Sequence, residues 1–232
     1  MGSIADNIGG VTRRIQKATK AANRPPESVR LLAVSKRKPP EDIRAAAAAG
    51  QLSFGENYVQ EALEKMAALA DLRNLEWHFI GPIQSNKTRD IAAHFDWVHS
   101  VDRLKIARRL SDQRPESKPP LNICLQVNVD NEDTKAGATL TSIPQLAEDV
   151  IQLPGLRLRG LMAIPDPDQS EASLRESFRA LATALNQLRE ANPDAEGLDT
   201  LSMGMSDDME TAIEEGATIV RVGTALFGAR DS

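Results

Sequence analysis

The 232-residue sequence predicts a parallel (β/α)8 barrel of the TIM type with an extra N-terminal helix, as one domain over residues 1–232. Three observations predict it. Short apolar runs that read as strands covered on both faces alternate with amphipathic stripes of helical period. The alternation gives eight strands, in a chain length at which α/β barrels are common. No composition break, sequence repeat or low-complexity stretch divides the chain, and the alanine run Ala45–Ala49 reads as helix propensity. An open doubly wound sheet of eight strands is the competing architecture.

The elements follow in order. Ile4, Ile8, Val11, Ile15, Ala18 and Ala22 recur on one helical face, and Asn23 to Pro26 ends it. Strand one spans about 30–35 and stops at Ser35-Lys36, with Pro39-Pro40 before an alanine-rich helix from Glu41 to Ala49. Leu52–Gly55 is strand two, and Val59, Leu63, Met66 and Ala70 stripe the next helix. Trp77–Ile80 is strand three, followed by a helix from about Ser85 to His94. Asp96–Ser100 is strand four, with a helix from Asp102 to about Gln113. Leu121–Val129 is a long strand five, Ile143–Gln152 a helix, and Leu156–Ile164 contains strand six. Leu174, Phe178, Leu181, Leu185 and Leu188 stripe a long helix ended near Pro193. Leu198–Leu201 is strand seven, Asp207–Glu215 a helix, and Ile219–Val222 strand eight.

Composition excludes several function classes. Lys+Arg is 28 against Asp+Glu 33, a formal charge of −5, so no basic footprint for nucleic acid exists. No apolar run reaches the roughly 18 residues that would suggest a membrane span. The start MGSIADNIGG lacks the charged and apolar regions of a signal peptide. The single cysteine, Cys124, lies inside the apolar fifth strand and has no internal disulfide partner, so a reducing, cytoplasmic setting is expected.

Barrel enzymes build their sites from the loops after the strands' carboxyl ends. Here those ends carry Lys36, Glu56-Asn57, Gly81 to Lys87, Ser100, Asn128, Met162, Ser202 to Ser206 and Gly223-Thr224. Glu56 and Asp207 lack metal-ligand spacing, and no metal is expected. A phosphate is expected at the loops after strands seven and eight. Ser206 there can also be a plain helix N-cap, with Asp207 and Asp208 favoured by the helix dipole. Arg221 sits between Val220 and Val222, so outward valines turn it into the barrel mouth, where it needs an acceptor. His78, in strand three, reads as a core or wall residue, and His94 and His99 as structural.

LLAVSKRKP, FGENYVQEALEK, WHFIGPIQSNK, HSVDR, GLMAIP, LSMGMSDDMETAI and VRVGTALFGAR, running from about Leu31 to Arg230, resemble the pyridoxal phosphate homeostasis proteins of the YggS/PROSC family. The resemblance implies a fold-type III barrel, akin to the N-terminal domain of alanine racemase, with pyridoxal 5'-phosphate as cofactor. It implies Lys36 as the Schiff-base residue. It places Asn57, His78 and Met162 along the pocket, Ser202, Ser206, Gly223 and Thr224 at the phosphate, and Arg221 at the pyridine nitrogen. An arginine there disfavours ring protonation and weakens the ring as an electron sink.

The family reading implies a carrier without catalytic residues: cofactor held for intracellular storage, buffering or delivery, with effects on amino-acid and keto-acid pools. Its expected partners are the cofactor and apo-enzymes that receive it, with no nucleic acid or membrane, and the chain is expected to be monomeric. The alternative is an amino-acid racemase. That chemistry needs a second base, and the only tyrosine, Tyr58, reads as helix-start packing. Arg37 stands where relatives carry a small polar residue, and Lys135 reads as a solvated loop lysine rather than a second aldehyde-reactive amine. The tail ends at Ser232 without the basic residues of some relatives, which puts any lysine-assisted transfer from the tail in doubt.

Overall fold

The computed structural model describes residues 2–130 and 136–228. Eight parallel strands form it: β1 (Arg30–Val34), β2 (Ser53–Glu56), β3 (Glu76–Phe79), β4 (Trp97–Val101), β5 (Leu121–Asn128), β6 (Leu156–Met162), β7 (Thr200–Ser202) and β8 (Ile219–Val222). Each pairs with its sequence neighbours, β1 pairs with β8, and β4 with β5, so the sheet closes into a barrel. Closure disposes of the open-sheet alternative.

The helices are α1 (Ile4–Ala21), α2 (Pro40–Ala48), α3 (Val59–Ala68), α4 (Thr88–His94), α5 (Leu104–Asp112), α6 (Ile143–Ile151), α7 (Glu171–Ala191), α8 (Met209–Glu214) and α9 (Thr224–Phe227). A capping box starts α1: Ser3 Oγ accepts the Asp6 N–H at 3.1 Å while the Asp6 carboxylate accepts from Ser3. The buried face of α1, Ile8, Val11, Ile15 and Ala18, lies against α8, α9 and α2. Asn7 Nδ2 also donates to Leu226 O at 2.8 Å, tying the extra helix to the end of the barrel.

Alternation along the strands sorts the core. Ala33, Phe54, Phe79, Val98, Ile123, Val220 and Val222 face outward into the large cluster under the helices. Two small clusters fill the interior: Leu32, Ile80 and Ile219 with Val34 near the carboxyl ends, and Trp97, Cys124 and Met162 further along the axis. The guanidinium groups of Arg30 and Arg159 lie 5.3 and 4.6 Å from the Trp97 ring centroid. Cys124 is fully buried as a free thiol, and burial pushes its pKa up to about 12, which suits packing and not nucleophilic attack.

Three features depart from the sequence reading. The helix expected from Ser85 opens as a 3-10 turn, Ser85–Lys87, before α4. A two-residue strand, Ala138–Thr139, runs beside Val127 and Asn128 at the edge of β5. α9 has four residues, too few to show a helical period, and lies between Gly223 and Gly228, the latter at φ 81°. Among the described residues no helix is long and apolar enough to cross a membrane.

Candidate functional site

A cavity of about 520 Å³ opens at the carboxyl ends of β1, β2, β7 and β8. Its apolar walls include Val34, Ile80, Ile164 and Met205, and its polar groups come from Lys36, Asn57, Arg14, Arg221 and the two loops after β7 and β8.

Lys36 lies one residue beyond Ser35, which follows the end of β1, and is part-buried; its amine has no hydrogen-bond or ion-pair partner among the described residues. Its turn is braced on both sides. Ser35 Oγ donates to Glu56 Oε1 at 2.6 Å, and Lys65 Nζ donates to Ser35 O at 2.7 Å. The Arg37 N–H donates to Glu61 Oε1 at 2.5 Å. Lys65, buried on α3, joins the two acids, 2.8 Å from Glu56 and 2.5 Å from Glu61. Burial raises the Glu56 pKa against the pull of the Lys65 ammonium and the Ser35 hydroxyl. Arg37, at φ 59°, points away from the cavity onto Tyr58, with Nη2 3.3 Å from the phenol oxygen. Tyr58 is exposed on the rim and is not part of the cavity wall.

Asn57 follows the end of β2, and its Oδ1 is buried without a partner among the described residues. Gly81 packs against it so closely that an added Cβ would lie 2.2 Å from Asn57 O. The opposite wall offers unused donors. The backbone N–H groups of Ser206, Asp207 and Thr224 make no hydrogen bond among the described residues. Asp208, not Ser206, is the N-cap residue of α8, and its carboxylate accepts the Met205 N–H at 2.5 Å. That carboxylate is therefore turned back into its own loop, and Ser206 is left facing the cavity. At Gly223 a Cβ would sit 3.2 Å from Val34 O, so the loop after β8 lies tight against β1.

Arg14, on the polar side of α1, reaches the same wall. It binds Glu210 through Nε at 2.7 Å and Nη2 at 2.9 Å, and donates to Ser206 O at 2.9 Å. No motif marks Arg14 in the sequence, because only the docking of α1 brings it here.

Arg221 points inward from β8 and is 4% exposed. It donates to Ser202 Oγ at 2.8 Å and to Ala163 O at 2.9 Å, two neutral acceptors. Burial lowers its pKa to about 10, so it stays charged at neutral pH, with Asp208 attracting it through space and no carboxylate in contact among the described residues. Beneath it a polar line crosses the barrel interior. Ser202 Oγ is 2.7 Å from His99 Nδ1, His99 Nε2 is 2.8 Å from His78 Nδ1, and His78 Nε2 is 2.7 Å from Glu76 Oε1. Burial lowers both histidine pKa values, that of His99 strongly.

Of the residues expected at the site, Lys36, Asn57, Ser206, Arg221, Gly223 and Thr224 line one cavity. Ser202, His78 and Met162 do not line it. Ser202 lies under Arg221, His78 stacks on Trp97 at 5.4 Å between ring centroids, and Met162 packs with Trp97 and Cys124. Lys135 lies outside the described residues, as does the tail from residue 229. No group of acidic, cysteine and histidine side chains able to hold a metal occurs among the described residues.

The arrangement fits an anionic aldehyde ligand. It combines an unpaired amine, an orphaned amide oxygen, free backbone donors at two loops and an arginine bonded only to neutral groups.

Comparison with known proteins agrees with this geometry. The sequence model for the alanine racemase N-terminal domain matches residues 7–231. The chain is 62% identical over 231 residues to the pyridoxal phosphate homeostasis protein of Pseudomonas aeruginosa, covering 100% of this chain and 97% of that one. It is 52% identical over 233 residues to the protein of the same name from Escherichia coli, covering 100% and 98%. The structure of PipY from Synechococcus elongatus with PLP bound superposes with a TM-score of 0.84 at 40% identity, over 97% of this chain and 100% of that one.

Proposed function

Since the chain belongs to the pyridoxal phosphate homeostasis proteins, within the alanine racemase N-terminal domain family, we propose that it binds pyridoxal 5'-phosphate in the barrel mouth and holds it covalently through Lys36. The single observation that carries this reading is the partnerless Lys36 amine sharing one cavity with the free N–H groups of Ser206, Asp207 and Thr224. When bound, the cofactor supplies an aldehyde that condenses with a neutral amine, releasing water.

The chain's own residues do the rest. The Glu56–Lys65–Glu61 brace fixes the turn from which Lys36 projects. Ser206, Gly223 and Thr224 offer backbone and hydroxyl donors to a phosphate, with Arg14 adding charge on that side. Asn57 Oδ1 accepts from a donor on the ligand. Arg221, a permanent donor, would face the ring nitrogen and keep it unprotonated.

The protein acts as a cofactor store or donor and not as a racemase in this reading. Tyr58, the sole tyrosine, stands outside the cavity against Arg37, and two-base proton exchange needs an acid/base group on each side of the reacting carbon. The test is loading with pyridoxal phosphate, reduction with borohydride and peptide mapping. The label is expected on Lys36 alone and absent in Lys36→Ala; a label elsewhere, or none, refutes the reading. Transfer to an apo-enzyme in the presence of a free-cofactor trap then separates direct delivery from release. α-Hydrogen exchange of amino acids in deuterated water, abolished by Lys36→Ala, would move the reading from carrier to enzyme.

A further inference from the structure

The polar line below Arg221 has a direction that its end groups determine. A guanidinium only donates, so Ser202 Oγ accepts from Arg221 and its own hydrogen is free for His99 Nδ1. His99 therefore carries its proton on Nε2 and gives it to His78 Nδ1. His78 in turn carries its proton on Nε2 and gives it to Glu76, an ionised carboxylate that only accepts. Every junction is satisfied in one sense, with both rings neutral. Burial favours those neutral rings, since both histidines are fully enclosed.

Other charged groups face this line. Glu76 lies at the amino-terminal end of the barrel beside Arg30, which reaches it at 3.2 Å, and Ser53 Oγ donates to it at 3.2 Å. Asp96 accepts the Trp77 N–H next to His78, Arg159 lies over Trp97 and the neutral Cys124 thiol packs against that same ring. Arg221 closes the other end. The line thus connects the half-exposed Glu76 on one face of the barrel to the cavity on the other.

We propose that Ser202, His99, His78 and Glu76 are positioning residues for Arg221: a one-way hydrogen-bond relay that holds its guanidinium for the ligand and couples ligand binding to the protonation of the histidine pair. The proposal rests on the reading of Arg221 as the partner of the ring nitrogen. Its physical basis is that an extra proton cannot be accommodated without reversing a junction. An imidazolium donates from both nitrogens, so whichever ring takes the proton, His99 Nδ1 becomes a donor to Ser202. Ser202 Oγ then faces two donors, His99 and Arg221, and its own hydrogen loses its acceptor. Proton uptake at the pair therefore disturbs the group that anchors Arg221, which Asp208 attracts only through space and which touches no carboxylate among the described residues.

Nitrogen-15 NMR of the histidine rings in the full-length unloaded protein tests the relay without any substitution. The chain has 3 histidines, which keeps the spectrum simple. At neutral pH both His78 and His99 are expected as Nε2–H tautomers; an Nδ1–H tautomer at either one overturns the relay. The coupling is read from the dissociation constant for pyridoxal phosphate against pH. Below the pair's pKa it should rise about tenfold per pH unit, the slope for one proton excluded by the bound state. Glu76→Gln keeps an acceptor for His78 but removes the charge, so the rise should begin about one unit lower in pH. A profile unchanged by Glu76→Gln refutes the coupling, because a purely packing role would alter stability without moving a pH midpoint. Wild-type protein that takes up no cofactor refutes the proposed function instead, and the tautomers still decide the relay.

Discussion

Two single residues determine what the cavity can accept. Arg221 donates to Ser202 and Ala163 from a fixed planar fork, which an ammonium cannot reproduce. Arg221→Lys should weaken pyridoxal phosphate binding about ten- to a hundredfold, the range for losing one charged hydrogen bond, as read by titration of protein fluorescence. Gly81 is a second such residue. A Cβ there meets Asn57 O at 2.2 Å, a backbone atom that cannot swing aside. Gly81→Ala should cost about 1–3 kcal/mol or more in urea unfolding, and it should also impair binding by displacing Asn57. The histidines set the acid side of stability. Burial holds their folded pKa values below the ordinary histidine value of about 6.5, so the unfolded chain binds protons that the folded one refuses. Stability should therefore be complete above about pH 6.5 and fall as the pH drops from there toward the folded pKa values. Glu76→Gln should carry that loss on to lower pH, because it removes the carboxylate in contact with His78 and lowers the folded pKa further, while the more distant Asp96 remains.

At the scale of elements, α3 acts at a distance on the lysine turn after β1. Lys65 bridges Glu56 at the end of β2 and Glu61 on its own helix, and its third hydrogen bond goes to Ser35 O. Removing Lys65 strands the Glu56 carboxylate, which is 0% exposed. Lys65→Met should cost about 3–5 kcal/mol in equilibrium unfolding, and should slow covalent loading at Lys36 because the turn loses its brace. Adding Glu56→Gln removes the stranded charge and should return part of that stability. None of this brace was legible in the sequence, where Glu56 read as an acid at the end of strand two without metal-ligand spacing and nothing set Glu61 or Lys65 apart. Lys36 itself was legible because an apolar strand ends there, and Arg221 because valines flank it. By contrast, placing His78 and Met162 in the pocket did not account for how far below the mouth each lies. Strand alternation tells inside from outside, but not depth along the barrel axis. The element order was readable almost throughout, since strands and helices each bury one periodic face. Four-residue α9 and the docking of Arg14 depend on tertiary contacts that no periodicity reports.

The whole molecule places its site where the two ends of the chain meet. β1 and β2 pair with β8 and β7 through the β1–β8 junction, and the cavity draws on all four strands and on α1. That junction rests on few residues: Arg30 to Ala33 on one strand and Ile219 to Val222 on the other. A ligand joined to Lys36 on β1 and held by the loops after β7 and β8 therefore links the first and last quarters of the barrel. Binding to the folded state alone adds RT ln(1 + [L]/Kd), about 2.7 kcal/mol at a hundredfold excess over Kd. Pyridoxal phosphate should accordingly raise the melting temperature in a concentration-dependent way, and Lys36→Ala should lose most of that rise. Hydrogen exchange should show where the gain falls. Protection should increase most in β1, β8 and the N-terminal part of α1, and least in β4 and β5, which close the barrel on its far side. Equal protection in all eight strands would mean that the ligand stabilises the barrel only globally, with no special tightening of the β1–β8 junction.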